Sequence, residues 1–388
     1  MPVTIPGVQY SGIWTMQQVN AAIAAGTWPT QPAPNGQLWS WGQNTTNGQL
    51  GLGNTTSYSS PKQVGSYANW FIPDGGQYFT LTAKADGTLW GWGANGSGQL
   101  GLGNTTNYSS PKQIGTLTTW SKVSTGFAFS LAIKTDGTLW AWGSPNMGQL
   151  GLGNTTYYSS PKQVGALTTW SSIATGSQFS LAIKTDGTLW AWGTNSNGQL
   201  GLGNITGYSS PKQIGSATNW SKIFSGYEYC LAIKTDGTLW GWGRNQYGQI
   251  GDGTVSNKSS PVQVGLLTNW SQISCGATQS FSIKTDNTLW SWGYNAYGTL
   301  GLLDFTNRSS PTQVAASTAW ASVGSQGYHA LAITTGGALW AIGGRNSEGQ
   351  LGIGTTANYQ SSPQQVGALT TWLSVSGGNY FTVGIKNA

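Results

Sequence analysis

Charge is scarce in this chain. Only 7% of its 388 residues are Asp, Glu, Lys or Arg, against about 25% in ordinary soluble domains. There is one histidine, His329, and there are two cysteines, Cys230 and Cys275. A lone histidine excludes a multi-histidine metal site, and two cysteines exclude a disulfide framework. No apolar run approaches the ~20 residues that a helical bilayer crossing needs, which excludes a membrane span. Met1 to Pro6 carries no basic region followed by an apolar stretch, so no secretory signal is visible. Disorder is excluded too, because disordered chains are rich in charge and poor in aromatics, whereas 12% of this one is aromatic. The net charge of +6 attracts acidic partners only weakly.

Glycine and tryptophan are abundant instead, at 59 and 22 residues. The glycines do not fall at every third position, so the chain is not collagen-like. The tryptophans are periodic. A Leu-Trp pair recurs at Trp39, Trp90, Trp140, Trp190, Trp240, Trp290 and Trp340, with a 50-residue step after the first interval. Ser-Ser-Pro follows each pair, and a lone Trp closes each interval, from Trp70 to Trp372. With the second Trp of each Trp-Gly pair, replaced by Ile342 in one copy, these series account for all but Trp14 and Trp28.

One unit gives the local structure. Trp120 to Ser124 reads as a short strand. Phe129 to Lys134 alternates, with Leu131 and Ile133 on one face and Ala132 and Lys134 on the other. Asp136-Gly137 supplies a tight hairpin turn, and Thr138 to Trp142 returns as a third strand. Gly148 to Gly153 is too rich in glycine for a strand and reads as a compact loop. Lys162 to Val164, after Pro161, reads as a fourth, outer strand. Four short antiparallel strands in about 50 residues make one propeller blade. The repeats open at Gly36 on the returning strand and end at Phe381 to Lys386 on the outgoing strand of the same hairpin. The expected fold is therefore all-β: a seven-bladed propeller over residues 36–388, closed by strands from both ends, after an N-terminal arm at 1–35. Closure leaves no open sheet edge to aggregate.

Trp120-Ser121-Lys122-Val123, Gly126, Leu131-Ala132-Ile133, Asp136-Gly137, Trp142-Gly143 and Gly148-Gln149-Leu150-Gly151, with their counterparts in every unit, make the repeat similar to that of the regulator of chromosome condensation family. The resemblance implies a seven-bladed propeller acting as a binding platform. The family's founding member is a nucleotide exchange factor for a small GTPase and binds nucleosomes. Those activities use charged loops, whereas the loops here are mostly Asn, Thr, Ser and Gly, so the exchange activity is not carried over. In the arm, Gly7 to Thr15, Gln17-Gln18 and Gly26-Thr27-Trp28-Pro29 resemble a segment of tailed-bacteriophage structural proteins. Thr15 would cap a helix from Met16 to Ala25, ended by Gly26, and Tyr10, Ile13, Trp14 and Trp28 are the candidate anchor.

Catalysis finds no grouped residues. His329 aligns with Phe79, Phe129, Phe179, Tyr229, Gln279 and Phe381, so it reads as a packing residue. Asp86, Asp136, Asp186, Asp236 and Asp286 are single carboxylates, one per blade, explained by turn chemistry and too dispersed for a metal. The cysteines read as free buried thiols. Lys62, Lys112, Lys162 and Lys212 form a sparse positive arc that suits nucleic acid poorly. Tyr58, Tyr108, Tyr158 and Tyr208 precede Ser-Ser in four blades. The later copies diverge most, with Asp252, Lys258, Asp304, Arg308 and His329, and Glu348 joins Arg244 and Arg345 in the Asn-x-x-Gly loops. Tyr and Arg favour binding hot spots, so the candidate binding residues are Arg244, Tyr247, Tyr294, Tyr297, Arg308 and Arg345, with drift of late copies as the competing reading.

The sequence thus leads to a non-enzymatic binding and structural protein without cofactor or metal. The expected setting is a phage virion, assembled in the host cytoplasm, with other virion or surface proteins held through the arm. A glycan-binding adhesin recognising host-surface glycan is one alternative, and a GTPase-regulating or chromatin-type propeller is another.

Overall fold

The computed structural model describes residues 36–315 and 319–387. The arm, with the expected helix and the anchor residues Tyr10, Ile13, Trp14 and Trp28, lies outside the described residues. Seven antiparallel sheets follow one another along the chain. Blade 2 is typical: Trp120–Thr125, Phe129–Lys134, Leu139–Gly143 and Tyr158–Gln163 pair in that order. Blades 1, 3, 4 and 5 repeat it from Trp70, Trp170, Trp220 and Trp270. Blade 6 starts at Trp320, and its outer strand is split into Tyr359–Gln360 and Gln364–Gln365. Blade 7 is composite: Trp372–Gly377 and Phe381–Asn387 from the end of the chain pair with Gly36–Gly42 and Tyr58–Gln63 from its beginning. The join runs unbroken from Gly36 opposite Asn387 to Gly42 opposite Phe381. The all-β, seven-bladed ring and its closure stand as the sequence predicts.

The outer strand differs from its expectation. It begins at Tyr158, before Pro161, instead of after it. Pro161 is tolerated inside because this is an edge strand and its pairing with Leu139–Gly143 is interrupted: Tyr158 faces Gly143 and Lys162 faces Ala141, with an irregularity between them.

The core lies between blades. Phe79, Leu81, Leu89, Leu100 and Ile114 of blade 1 pack on Trp120, Val123, Ala132 and Trp142 of blade 2. Trp120 meets Trp140 and Trp142 edge to face, each at 6.1 Å between ring centres. Trp142 is wholly buried, and its indole Nε1 donates to Gln99 O of the preceding blade at 2.8 Å. This contact explains the compact glycine loop: Gly101 has φ +74°, and a Cβ there would stand 2.8 Å from Trp142 Nε1. Around the ring, Trp41 Nε1 donates in the same way to Gln350 O at 2.9 Å, which locks blade 7 onto blade 6.

Two faces result. One carries the turn between first and second strands and the loop between third and fourth; these are tied by Ser144 N–H donating to Ala128 O at 2.8 Å. The other carries the Asp-Gly hairpin and the connection between blades, tied by Thr135 N–H donating to Thr119 O at 2.8 Å. They are called here the turn–loop face and the hairpin face.

Candidate functional site

At the axis of the turn–loop face the first turns of successive blades join by backbone hydrogen bonds. Ser177 N–H donates to Tyr227 O at 3.0 Å, Ala277 N–H to Gly327 O at 2.9 Å, and Gly327 N–H to Gly378 O at 3.3 Å. Tyr227 of blade 4 crosses the axis: its hydroxyl donates to Asn379 Oδ1 on blade 7 at 2.6 Å, and its ring meets Phe127 of blade 2 at 4.5 Å. Burial lifts the Tyr227 phenol well above its ordinary range. Gln326 Nε2 also crosses, to Thr125 O at 3.5 Å. The gap left among Phe127, Tyr227, Cys275 and Gln326 is about 10 Å³, room for about one water. Among the described residues the axis therefore leaves no room for a ligand at this end.

From this plug an aromatic belt runs outward over blades 4 to 6. Tyr328 lies 6.4 Å from Tyr227 and 5.6 Å from Tyr297. Tyr297 meets Tyr294 at 5.5 Å, and Tyr294 meets Tyr247 at 4.8 Å, both edge to face. On the outer side Tyr297 stacks on Tyr359 at 5.2 Å and 11°. Two arginines flank the belt. Arg244 pairs with Glu228 at 2.7 Å and lies 6.0 Å from the centre of the Tyr247 ring. Arg345 faces Tyr359 across its strand pair and stands 5.2 Å over Tyr380. Burial, then the neighbouring Tyr297, raises the phenol pKa of both Tyr294 and Tyr328, so these hydroxyls are neutral hydrogen-bond groups at neutral pH.

Of the six candidate binding residues, the structure brings Arg244, Tyr247, Tyr294 and Tyr297 into one surface, with Arg345 at its edge. Arg308 stands apart on the outer strand, paired with Asp304 at 2.5 Å. Lys258 likewise pairs with Asp252 at 3.1 Å. The Asp304–Arg308 pair stands in the register positions of an internal hydrogen bond of the early blades, where Asn104 Nδ2 donates to Tyr108 Oη at 3.2 Å, whereas Asp252 stands where the early blades have leucine. Tyr58, Tyr108 and Tyr158 are thus used within their own loops, and each lysine of the sparse arc lies against an early tyrosine, as Lys112 does over Tyr108 at 5.5 Å.

His329 is buried between blades 6 and 7, where its Nε2 meets Thr382 Oγ1 at 2.9 Å. Burial lowers its pKa to about 4. Asp136 Oδ1 accepts from Thr138 N–H at 2.9 Å and Thr138 Oγ1 at 2.6 Å, the Asx arrangement of a turn; these bonds also lower its pKa. Cys230 and Cys275 are both buried, and burial raises both thiol pKa values.

Sequence reading missed Phe127, Tyr227, Tyr328, Tyr359 and Tyr380. Their signal was present: Phe127 and Tyr227 share one register position after the turn glycine, and Tyr328 and Tyr380 share the next. Asp74 was missed as well. Its carboxylate accepts from Thr125 N–H at 2.7 Å and from Ser376 Oγ at 3.3 Å, linking blades 2 and 7 through blade 1. Desolvation outweighs these bonds and lifts its pKa to about 6.

The sequence matches the regulator of chromosome condensation (RCC1) repeat over residues 35–72, 86–133, 136–183, 186–233, 236–283, 286–333 and 336–385. A second RCC1 repeat description matches residues 120–149, 170–199 and 220–249. No curated protein matches the chain. Among solved structures, human WBSCR16 is similar at 23% identity and a TM-score of 0.81, covering 91% of this chain and 99% of that one. Yeast RCC1 (Prp20), solved with Kap60 bound, gives 19% identity and a TM-score of 0.82, covering 100% and 96%. A Saccharomyces cerevisiae Prp20p structure, presented with its binding to Gsp1p and histones, gives 22% identity and a TM-score of 0.78, covering 92% of each chain. At these identities the likeness concerns the fold. The expected virion location is overturned: these matches are human and yeast RCC1-type proteins, not particle components. The seven matched repeats, each running from the outer two strands of one blade into the next blade of the closed ring, place this chain in the RCC1 repeat family.

Proposed function

We propose that this chain is a non-catalytic protein-binding propeller whose partner docks on the turn–loop face of blades 4 to 6. The observation that carries this reading is the belt Tyr247–Tyr294–Tyr297–Tyr359, flanked by Arg244 and Arg345. Tyrosine offers a rigid apolar ring with one polar tip, and with arginine it dominates binding hot spots. Arg244 and Glu228 hold each other, so the belt presents aromatic area with fixed hydrogen-bonding groups at little entropic cost. The Prp20 structures support a protein partner, because that similar propeller is described with Kap60, Gsp1p and histones.

Within that class a small GTPase is the first partner to test, because the founding member of the matched family acts on one, while the exchange activity itself is not carried over to these mostly uncharged loops. The test has two steps. Protein captured from the source cell by the full chain is compared with capture by a Tyr294→Ala/Tyr297→Ala variant. Each protein lost with the variant is then purified and titrated directly. If it is a GTPase, release of a fluorescent guanine nucleotide is timed with and without the chain. A partner bound by the parent and lost in the variant supports the reading. A glycan bound through these tyrosines, with no protein partner, overturns it.

A further inference from the structure

The hairpin face carries a feature repeated in nearly every blade. In blade 2 the Lys134 ammonium lies 3.7 Å over Trp140 and 5.1 Å over Trp120. The same placement recurs with Lys84 over Trp90 at 4.3 Å, Lys184 over Trp190 at 3.7 Å, Lys234 over Trp240 at 4.0 Å and Lys284 over Trp290 at 3.6 Å. Lys386 takes it in blade 7, 4.9 Å over Trp39. In blades 1 to 5 the indole Nε1 beneath the lysine also has a partner: Trp140 donates to Thr138 Oγ1 at 2.9 Å, and that hydroxyl donates to Asp136. An ammonium between two indoles is attracted by both ring faces.

Blade 6 lacks all three polar members of this arrangement. Thr334 stands in the lysine position, Gly336 in the aspartate position and Ala338 in the threonine position. The aromatic pair is nevertheless intact, with Trp320 and Trp340 at 6.2 Å and 83°, against 6.1 Å and 78° for Trp120 and Trp140. Thr334 does not cover the rings: its Oγ1 accepts from Ala338 N–H at 3.1 Å and closes the turn in place of the missing aspartate. Among the described residues no Lys or Arg lies over Trp320 or Trp340, and Trp340 Nε1 is buried without a partner. Residues 1–35, 316–318 and 388 contain no Lys or Arg, so no side-chain cation from the rest of the chain is left to fill the place.

We infer that the Trp320–Trp340 pair of blade 6 is a binding site for the ammonium of a lysine side chain on a partner protein. The other six blades supply that cation internally, and this one leaves it to the partner. The inference concerns the hairpin face and does not depend on the tyrosine belt.

The test labels the full chain with 5-fluorotryptophan, assigns the Trp340 resonance with Trp340→Phe, and titrates with N-acetyl-lysine methylamide. A saturable shift is expected at Trp320 and Trp340, and none with the uncharged norleucine analogue. Thr334→Lys restores the residue of the other blades and reduces binding more than ten-fold. Lys184→Thr opens a second site, read at Trp170 and Trp190. No saturable shift in the parent, equal binding of the norleucine analogue, unchanged binding in Thr334→Lys or no second site in Lys184→Thr overturns the inference.

Discussion

On the turn–loop face, blades 1 to 3 and blades 4 to 6 share a backbone and differ in chemistry. The loop is held the same way in both halves: Leu100 N–H donates to Asn95 Oδ1 at 2.9 Å in blade 1, and Ile250 N–H to Asn245 Oδ1 at 2.9 Å in blade 4. The residue before that register position is Ala94, Ser144 or Thr194 in the first three blades, but Arg244, Tyr294 or Arg345 in the next three. Three residues later stand Ser97, Met147 and Asn197 in one half, and Tyr247, Tyr297 and Glu348 in the other. The repeat therefore fixes where loop side chains project, and the side chains alone make one half of the ring aromatic and basic. The proposed function is thus one grafted on the scaffold at these positions.

The largest expected effect tests the shared scaffold. Trp142→Ala removes a wholly buried ring and its bond to Gln99 O, which costs about 3–5 kcal/mol in chemical denaturation. Ile342→Ala at the same position of blade 6 has no such bond to lose, and its cost is smaller by about 1 kcal/mol. Equal costs would show that the indole–carbonyl bond contributes nothing.

Partner binding separates the halves directly. Tyr294→Ala/Tyr297→Ala weakens binding by at least about 30-fold, the loss of about 2 kcal/mol expected for hot-spot tyrosines. Thr194→Ala/Asn197→Ala, at the matching places of blade 3, changes it less than about two-fold, as a loop outside the hot spot should. A titration of purified partner reads both, and similar losses would erase the distinction.

The two halves also respond to pH in opposite senses. His329 of blade 6 has its pKa lowered to about 4; its favourable contribution is present above its unfolded pKa of about 6.5 and is lost as pH falls toward 4. Asp74 of blade 1 has its pKa raised to about 6; its favourable contribution is present below its unfolded pKa of about 3.9 and is lost as pH rises through 6. Between pH 4 and 6 the two slopes oppose. Asp74→Asn leaves stability rising with pH, by at most about 3 kcal/mol. The pair Gln326→Gly/His329→Phe, which restores the residues of the early blades, leaves it falling with pH. Urea unfolding across that range checks both slopes.

The smallest effect concerns one loop residue. Leu303 of blade 5 has φ +65°, where Gly103, Gly153 and Gly203 have φ values of +78°, +74° and +76°. Leu303→Gly relieves a left-handed leucine and stabilises by about 1 kcal/mol, measurable as a raised melting temperature. No gain would mean that the exposed Leu303 side chain offsets its own strain.

The ring was legible because its packing positions repeat. Each Trp, each Asp-Gly turn and each glycine loop occurs often enough that one unit explains the others, and the mid-unit ends of the repeat predict closure. The outer strand was misplaced because Pro161 looked like a start, whereas an interrupted edge pairing admits proline inside. The candidate surface was half legible. Arg244, Tyr247, Tyr294 and Tyr297 stand out as loop substitutions, but Tyr227 and Asn379 are far apart in the sequence and meet only across the axis. Arg308 was included because it is a late, charged substitution; its carboxylate partner Asp304 lies four residues away and holds it on the rim. Lys134 and its counterparts were passed over as the polar half of an alternating strand, so the bare pair in blade 6 had no frame of comparison.

The central claim is that a protein partner lies on the turn–loop face of blades 4 to 6. Hydroxyl-radical footprinting of the chain, alone and with its purified partner, tests it most directly. The account predicts protection of Tyr247, Tyr294, Tyr297 and Tyr359, with Met147 and Tyr157 of blade 2 labelled equally in both states. Protection of Met147 and Tyr157 with the four belt tyrosines unchanged would contradict it.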